Sequence, residues 1–406
     1  MIQYKNEKIC LMKNTIQEYA WGSHTAIADL VGNNSPSTNP QAELWMGAHP
    51  KAPSLVKYDD KWLSLLELIK QSPADILGKD VAAKFDNKLP FLFKVLAASK
   101  PLSIQAHPSI KLAKQGFEKE NRLGIPIDSP NRNYKDENHK PECICALTPF
   151  LALYGFRKIS EIIFLMEKIC LKVLYKELNN LKKQPNSNGL KNFFRSIITI
   201  NGLRKKQIIE FAITNAQKLS EVNPIFKWMI KLYKEYPDDM GIFAPILLNL
   251  ISLKPGQAIF LSSGELHAYL NGLGVELMAN SDNVLRGGLT KKHIDIPELL
   301  NVLNFEVMDV NILLSQKDKN CEGVYHSMAE EFVLSVISDE KNISYTSPEK
   351  RSVEIILCTD GKASITDISI KKNILLKKGT SVIIPSLVNK YRIEGKATLY
   401  KASAPV

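Results

Sequence analysis

The feature that most constrains this chain is a hydrophobic period that changes twice along it. From about residue 41 to 108, short apolar runs are broken by turn residues: AELWMG, APSLVKY, LPFLFKVLAA and KPLSIQAHP. Such runs read as mainly β-structure, with one helical stretch near residues 62–76. Over residues 158–236 the spacing switches, and Ile159, Ile162, Ile163, Met166, Ile169 and Cys170 recur at helical intervals. The polar gaps KKQPNSNG and YPDDMG read as connecting loops. Beyond FAPILLNLISL, the segment KPGQAIFLSSGELHAYL returns to the strand period behind a Pro-Gly turn. A helical block between two β-rich parts is more simply an insertion than a separate body.

From about residue 310 the chain is β-rich again, and KKGTSVIIPSLVNKYRI repeats the shape of KPGQAIFLSSGELHAYL. Aligning Gly379 on Gly256 places Lys390 opposite His267. The second β unit is therefore expected to share the fold and, lacking the histidine, to bind no metal.

Bulk properties narrow the class. With 406 residues and 45% hydrophobic content, the chain can bury a sizeable core. The first residues, MIQYKNEKICLMKNTIQEYAWG, lack an apolar stretch followed by a cleavage site, and no window suits a membrane span. A cytoplasmic protein with no membrane partner is expected. Six scattered cysteines, with one C-x-C pair and no C-x-x-C, suggest neither a disulfide framework nor a thiolate cage. The net charge of +11 comes from lysines spread along the whole chain, without interleaved aromatics. A solvated surface is the reading, and no nucleic-acid partner is expected.

Three clusters carry candidate chemistry. In SIQAHP, strand alternation puts Gln105 and His107 on one side, and Pro108 biases His107 towards the extended conformation. That is half a metal site, or a hydrogen-bonded core histidine. In NHKPECICAL, Glu142 shares a face with Ile144, while Cys143 and Cys145 share the other. A carboxylate at the head of a buried strand needs a cation, either a metal or a base such as Lys140. The third, GELHAYLNGLGVELMANSDNVLRGGLTKKHID, concentrates His267, Tyr269, Glu276, Asp282, Asn283 and Arg286. By alternation alone Glu265 joins His267 as a ligand candidate. One amide, one carboxylate and two imidazoles suit zinc, with cobalt, nickel and manganese also compatible.

Taken in order, YAWG (19–22), AELWMGAHP (42–50), LPFLFKVL (89–96), SIQAHP (103–108), NHKPE (138–142), HAYL (267–270) and ANSDNVLRGGLT (279–290) resemble the type I mannose-6-phosphate isomerases. The likeness runs through roughly residues 15–300. It implies a mainly β fold: two cupin-like (jelly-roll) domains plus a helical domain. The expected division is 1–155 with 240–310 as the catalytic cupin, 156–239 as the helical insertion, and 311–406 as a cupin-like unit without metal. The resemblance assigns one zinc ion to Gln105, His107, Glu142 and His267, and does not carry Glu265 over. It implies reversible conversion of mannose 6-phosphate to fructose 6-phosphate through an enediol, with a sugar phosphate as the partner; a monomer is expected.

Arg286 matches the family's catalytic arginine, and Lys140 is ranked second as a proton carrier. Either a role in catalysis or an ion pair with Asp282 or Glu276 is open to Arg286. His139 and Glu276 fall on pocket positions, Tyr269 and Trp21 shape the pocket, and Ser103, Lys94 and Lys292 are phosphate candidates. His24, His49, His293 and His326 receive no metal role. The rivals are a cupin dioxygenase, which a glutamine ligand fits poorly, and an inactive sugar-binding cupin, which the full ligand set with Arg286 argues against.

Overall fold

The computed structural model describes residues 8–318 and 320–406. Its strands form two eleven-stranded sheets, and helices occupy most of the stretch from Ile159 to Leu247.

The 13-residue strand His267–Ala279 organises the first sheet. Its C-terminal half pairs with Phe91–Ala98 and Glu142–Ala146, and its first residues pair with Ile104–Ala106 and Phe150–Phe156. The register slips between Tyr269 and Asn271, and Gly272 takes φ 129°, a conformation side-chain-bearing residues avoid. The strand thus carries the sheet from one leaf into another, and Leu96, Ile144, Phe150, Ala152, Ile259 and Tyr269 fill the space between them.

Alternation separates two environments on the first leaf. Phe91, Phe93, Val95, Cys143, Cys145, Val275 and Leu277 face outward, against Leu334, Ile355, Leu357, Ile383 and Tyr400 of the second large sheet. The opposite face carries a row running across the strands, Trp45, Lys94, Glu276, Ile144 and Ile259, with charged side chains inside the fold.

The helical block packs on the far side of the second leaf, where Ile104, Ala106, Leu153, Leu266 and Ala268 meet Ile162, Met166, Phe194 and Ile246. Asn186 and Asn223 cap two of its helices by accepting from Gly189 N (3.0 Å) and Ile225 N (2.9 Å). Asp239 ties it back to the sheet, since its carboxylate accepts from Thr290 N at 3.1 Å. Among the described residues no helix is long and apolar enough to cross a membrane.

One expectation changes. The stretch near 62–76 is a strand, Lys61–Ser64, followed by the short helices Leu65–Gln71 and Pro73–Leu77, because Trp62 joins an edge hairpin and Pro73 restarts the chain. Strands also pair between the N-terminal and C-terminal segments of the chain. Cys10–Lys13 pairs with Ser381–Ile384 and carries Leu55–Tyr58 and Lys61–Ser64 into the second large sheet, while Leu313–Leu314 joins the first.

The internal repeat has a structural counterpart. Gly256 and Gly379 occupy matching turns with φ 83° and 82°, and Tyr391–Ser403 is a second 13-residue strand beginning one residue after Lys390. Glu142 pairs across the sheet with Leu261 and Met278, and Glu354 with Ile384 and Ser403 at the equivalent strand head. Where the first unit has Glu276 in its cross-strand row, the second has Lys401, buried against Glu322 (2.7 Å) and Glu354 (3.1 Å). Replacing Lys401 by Met leaves the buried Glu354 with Arg351 at 3.4 Å and the half-buried Glu322 with Ser335 alone, so the Lys401→Met protein should be destabilised in urea unfolding. An unchanged midpoint and slope would refute this account of the second core.

Candidate metal centre and active site

Three ligand-type side chains converge from separate strands. His107 follows Ile104–Ala106, Glu142 opens Glu142–Ala146, and His267 opens His267–Ala279. All three are buried, and one candidate ligand atom from each lies within 4.8 Å of the others. His107 Nε2 stands 3.3 Å from Glu142 Oε1, and His267 Nε2 stands 3.5 Å from Glu142 Oε2. The second ring nitrogens are engaged: His107 Nδ1 with the Asn283 carbonyl at 2.8 Å, His267 Nδ1 with the Glu265 carbonyl at 3.1 Å. Bonding to a carbonyl requires the proton on Nδ1, and it turns each Nε2 towards the carboxylate.

His107 Nε2 is buried without a hydrogen-bond partner, although a carboxylate oxygen is close by. Donors grouped around a common point without bonding one another are what a metal ion needs. Gln105 adds to the group. It pairs with His267 in register, and its amide nitrogen donates to Ser103 Oγ at 3.2 Å, so its amide oxygen is the atom left to serve as a ligand. The donor set fits a divalent cation with nitrogen and oxygen ligands.

The electrostatics favour the same occupant. Burial pushes the His267 pKa down to about 4 and His107 adds to the effect, so the ring is neutral at physiological pH. Burial alone would raise the Glu142 pKa, but the Lys140 ammonium and the two imidazoles outweigh it and hold the carboxyl well below its usual range. Lys140 Nζ stands 3.1 Å from Glu142 Oε1.

Lys94, Glu276, Glu43, Ser103 and Tyr269 line the same cavity as Gln105, Lys140, Glu142 and His267. Lys94 is compensated, with Glu276 at 3.1 Å and Glu43 at 3.7 Å. Burial opposes its charge, yet the two carboxylates raise its pKa. Tyr269 OH donates to Glu276 Oε1 at 2.8 Å. The Glu276 pKa is raised by burial and by Glu142 and Glu43, against the pull of Lys94. Three carboxylates and two ammonium groups leave one negative charge in excess in this cavity, which a divalent cation reverses.

The chain matches the family model for the catalytic domain of type I phosphomannose isomerase over residues 9–159. It is 40% identical to the mannose-6-phosphate isomerase of Escherichia coli (strain K12), covering 95% of this chain and 97% of that one. The rat enzyme is 34% identical over 93% and 94%. The chain belongs to the type I phosphomannose isomerase family. Its fold matches the crystal structure of the Salmonella typhimurium enzyme bound to fructose 6-phosphate and zinc. The TM-score is 0.90 and the identity 37%, with 98% of this chain and 100% of that one covered.

Other residues of this phosphomannose isomerase homologue sit as follows. Arg286 lies beside Gln105 in register on Leu285–Gly288. The ion pairs open to it on sequence are not formed: Asp282 binds Lys51 (2.7 Å) and His49 (3.6 Å), and Glu276 binds Lys94. Burial lowers the Arg286 pKa. Burial also lowers that of Lys292, helped by the nearby charges of Arg286 and Lys135. Unpaired cations crowded in this way form an acceptor for an anion.

His139 turns away from this cavity. Its Nε2 lies 2.6 Å from Glu331 Oε1, and it lines a separate hollow with Phe260, Met328 and Glu330. Glu265 is not placed as a ligand. The strand begins only at His267, so alternation does not extend back to it, and its carboxylate accepts from Asn304 at 2.9 Å. Glu43 and Trp45 are additions to the sequence candidates: Trp45 Nε1 donates to Glu43 Oε2 at 2.5 Å beside Lys94. Their one sequence signal is a glutamate two residues from a tryptophan inside an apolar run.

A His267→Ala protein, dialysed against a metal buffer and assayed by atomic absorption, should retain far less than one divalent ion per chain. Stoichiometric metal in that variant would remove His267 from the centre.

Proposed function

We propose that this chain interconverts mannose 6-phosphate and fructose 6-phosphate, with one zinc ion held by Gln105, His107, Glu142 and His267. The observation that carries the reading is the buried His107–Glu142–His267 group, with both imidazole Nδ1 atoms committed to carbonyls. The 40% identity over nearly the whole chain supports it. When bound, the zinc supplies Lewis-acid polarisation of the sugar's O1 and O2.

The remaining work falls to the chain. Conversion of the aldose removes the C2 proton, leaves an enediolate, passes the O2 proton to O1, and returns a proton to C1. Lys140, beside the ligand Glu142, is the proposed carrier of that proton, taking it from C2 as the neutral amine and giving it to C1 as the ammonium, with Glu276 lining the path. Arg286 is free of carboxylate partners and stays charged, so it stabilises the enediolate oxygen. Lys292, with Arg286 and Lys135 close by, is the group best suited to the phosphate. Ser103 contributes a hydroxyl beside Gln105. Lys94 has its charge met by Glu276 and Glu43, so it orients Glu276 and, through it, Tyr269.

In the same reading the leaves carrying the site, formed by 1–155 and 240–310 with the exchanged strands, are the catalytic unit. Residues 156–239 cover the second leaf, and 311–406 back the first. The enzyme works as a cytoplasmic monomer, a setting in keeping with six cysteines that are all unpaired.

The direct test follows fructose 6-phosphate formation before chelation, after it, and after zinc is restored. Activity that vanishes and returns supports the reading, whereas a folded, zinc-loaded protein without turnover overturns it. Arg286→Ala should lower kcat by about 10²–10³-fold with zinc content unchanged. A variant with parental kcat would remove Arg286 from the chemistry.

A further inference from the structure

Asn283 has no exposed surface, and every hydrogen-bonding capacity of its side chain is used. Its Oδ1 accepts from Lys135 N at 2.6 Å and Asp136 N at 3.2 Å. Its Nδ2 donates to the carbonyls of Asp136 (2.8 Å) and Asn138 (2.9 Å), and lies 3.2 Å from Asp136 Oδ1. A primary amide has two acceptor sites and two protons, so this is a saturated arrangement. Asp136 returns the grip: Oδ1 accepts from Ser281 Oγ (2.8 Å) and Asn138 N (2.9 Å), and Oδ2 from Asp282 N (2.8 Å).

Residues 135–138 form no strand or helix, yet they run directly into Lys140 and the ligand Glu142. The main-chain carbonyl of the same Asn283 accepts from His107 Nδ1, and Arg286 follows three residues later. One buried residue therefore bonds to the ligand His107 and to the segment that leads into Lys140 and Glu142.

We infer that Asn283, clasped with Asp136, is the positioning residue that aligns His107 with the segment delivering Lys140 and Glu142. This rests on the isomerase reading above. Asn283→Asp keeps the shape but replaces both donors by a carboxylate facing two carbonyls and Asp136. The bonds to the Asp136 and Asn138 carbonyls are then lost and replaced by repulsion, while those from Lys135 N and Asp136 N remain, so the main-chain carbonyl that meets the His107 ring is less firmly held.

The test measures zinc affinity of the apo protein by competition with a chromophoric chelator, then kcat and KM at saturating zinc, for Asn283→Asp, Asn283→Ala and Asp136→Asn. Leu178→Ala, in the core of the helical block, is the control for lost stability alone. The Asn283 variants should bind zinc about 10–100-fold more weakly, and should lose more in kcat than in KM. The control should lose thermal stability and keep parental zinc affinity. Parental affinity in folded Asn283 variants overturns the inference. If they do not fold, parental affinity in Asp136→Asn does so instead. A parent that binds zinc without isomerase activity defeats the functional reading, while the affinity comparison still decides the role of Asn283.

Discussion

A carboxylate removed from water is the constraint on which the rest of this structure depends. Glu142 is 3% exposed at the head of a strand whose next four residues are fully buried. Such a charge is tolerated only among compensating groups, and the fold supplies them from three directions: Lys140 on its own strand approach, His107 from the second leaf, and His267 where the long strand passes between leaves. The two histidines are oriented by carbonyls, so their Nε2 atoms converge on the carboxylate where a cation is needed. The requirement for a metal thus follows from burial and geometry together.

The same economy of alternation explains the layering. One face of the first leaf is apolar and joins the second large sheet, and the other holds the charges that make a site. In the C-terminal unit a similar strand arrangement meets the buried Glu354 and the half-buried Glu322 with the ammonium of Lys401. A covalently attached cation satisfies one unit, while the other presents open donor atoms. The two units solve one electrostatic problem in different ways.

Much of this was legible in the sequence because the chemistry sits on local signals. His107, Glu142 and His267 lie in short strings that made them candidates, the family resemblance singled them out together with Gln105, and the helical block announces itself by its spacing. The switch at Gly272, the exchange of Cys10–Lys13 into the far sheet, and the pairing of Trp45, Lys94 and Glu276 depend on register between distant segments, which no local pattern reports. Glu265 illustrates the opposite failure: spacing placed it with His267, but the strand starts after it. His139, adjacent to Lys140 in sequence, is drawn aside by Glu331 from the C-terminal segment. The role of Asn283 is invisible locally because its partners lie about 145 residues upstream.

The most direct test of the central claim is X-ray absorption at the zinc edge on protein reconstituted with one zinc per chain. The account predicts a shell of two imidazole nitrogens with oxygen ligands at about 2.0–2.2 Å and no sulfur. A sulfur contribution near about 2.3 Å, or an all-oxygen shell without imidazole scattering, would contradict it.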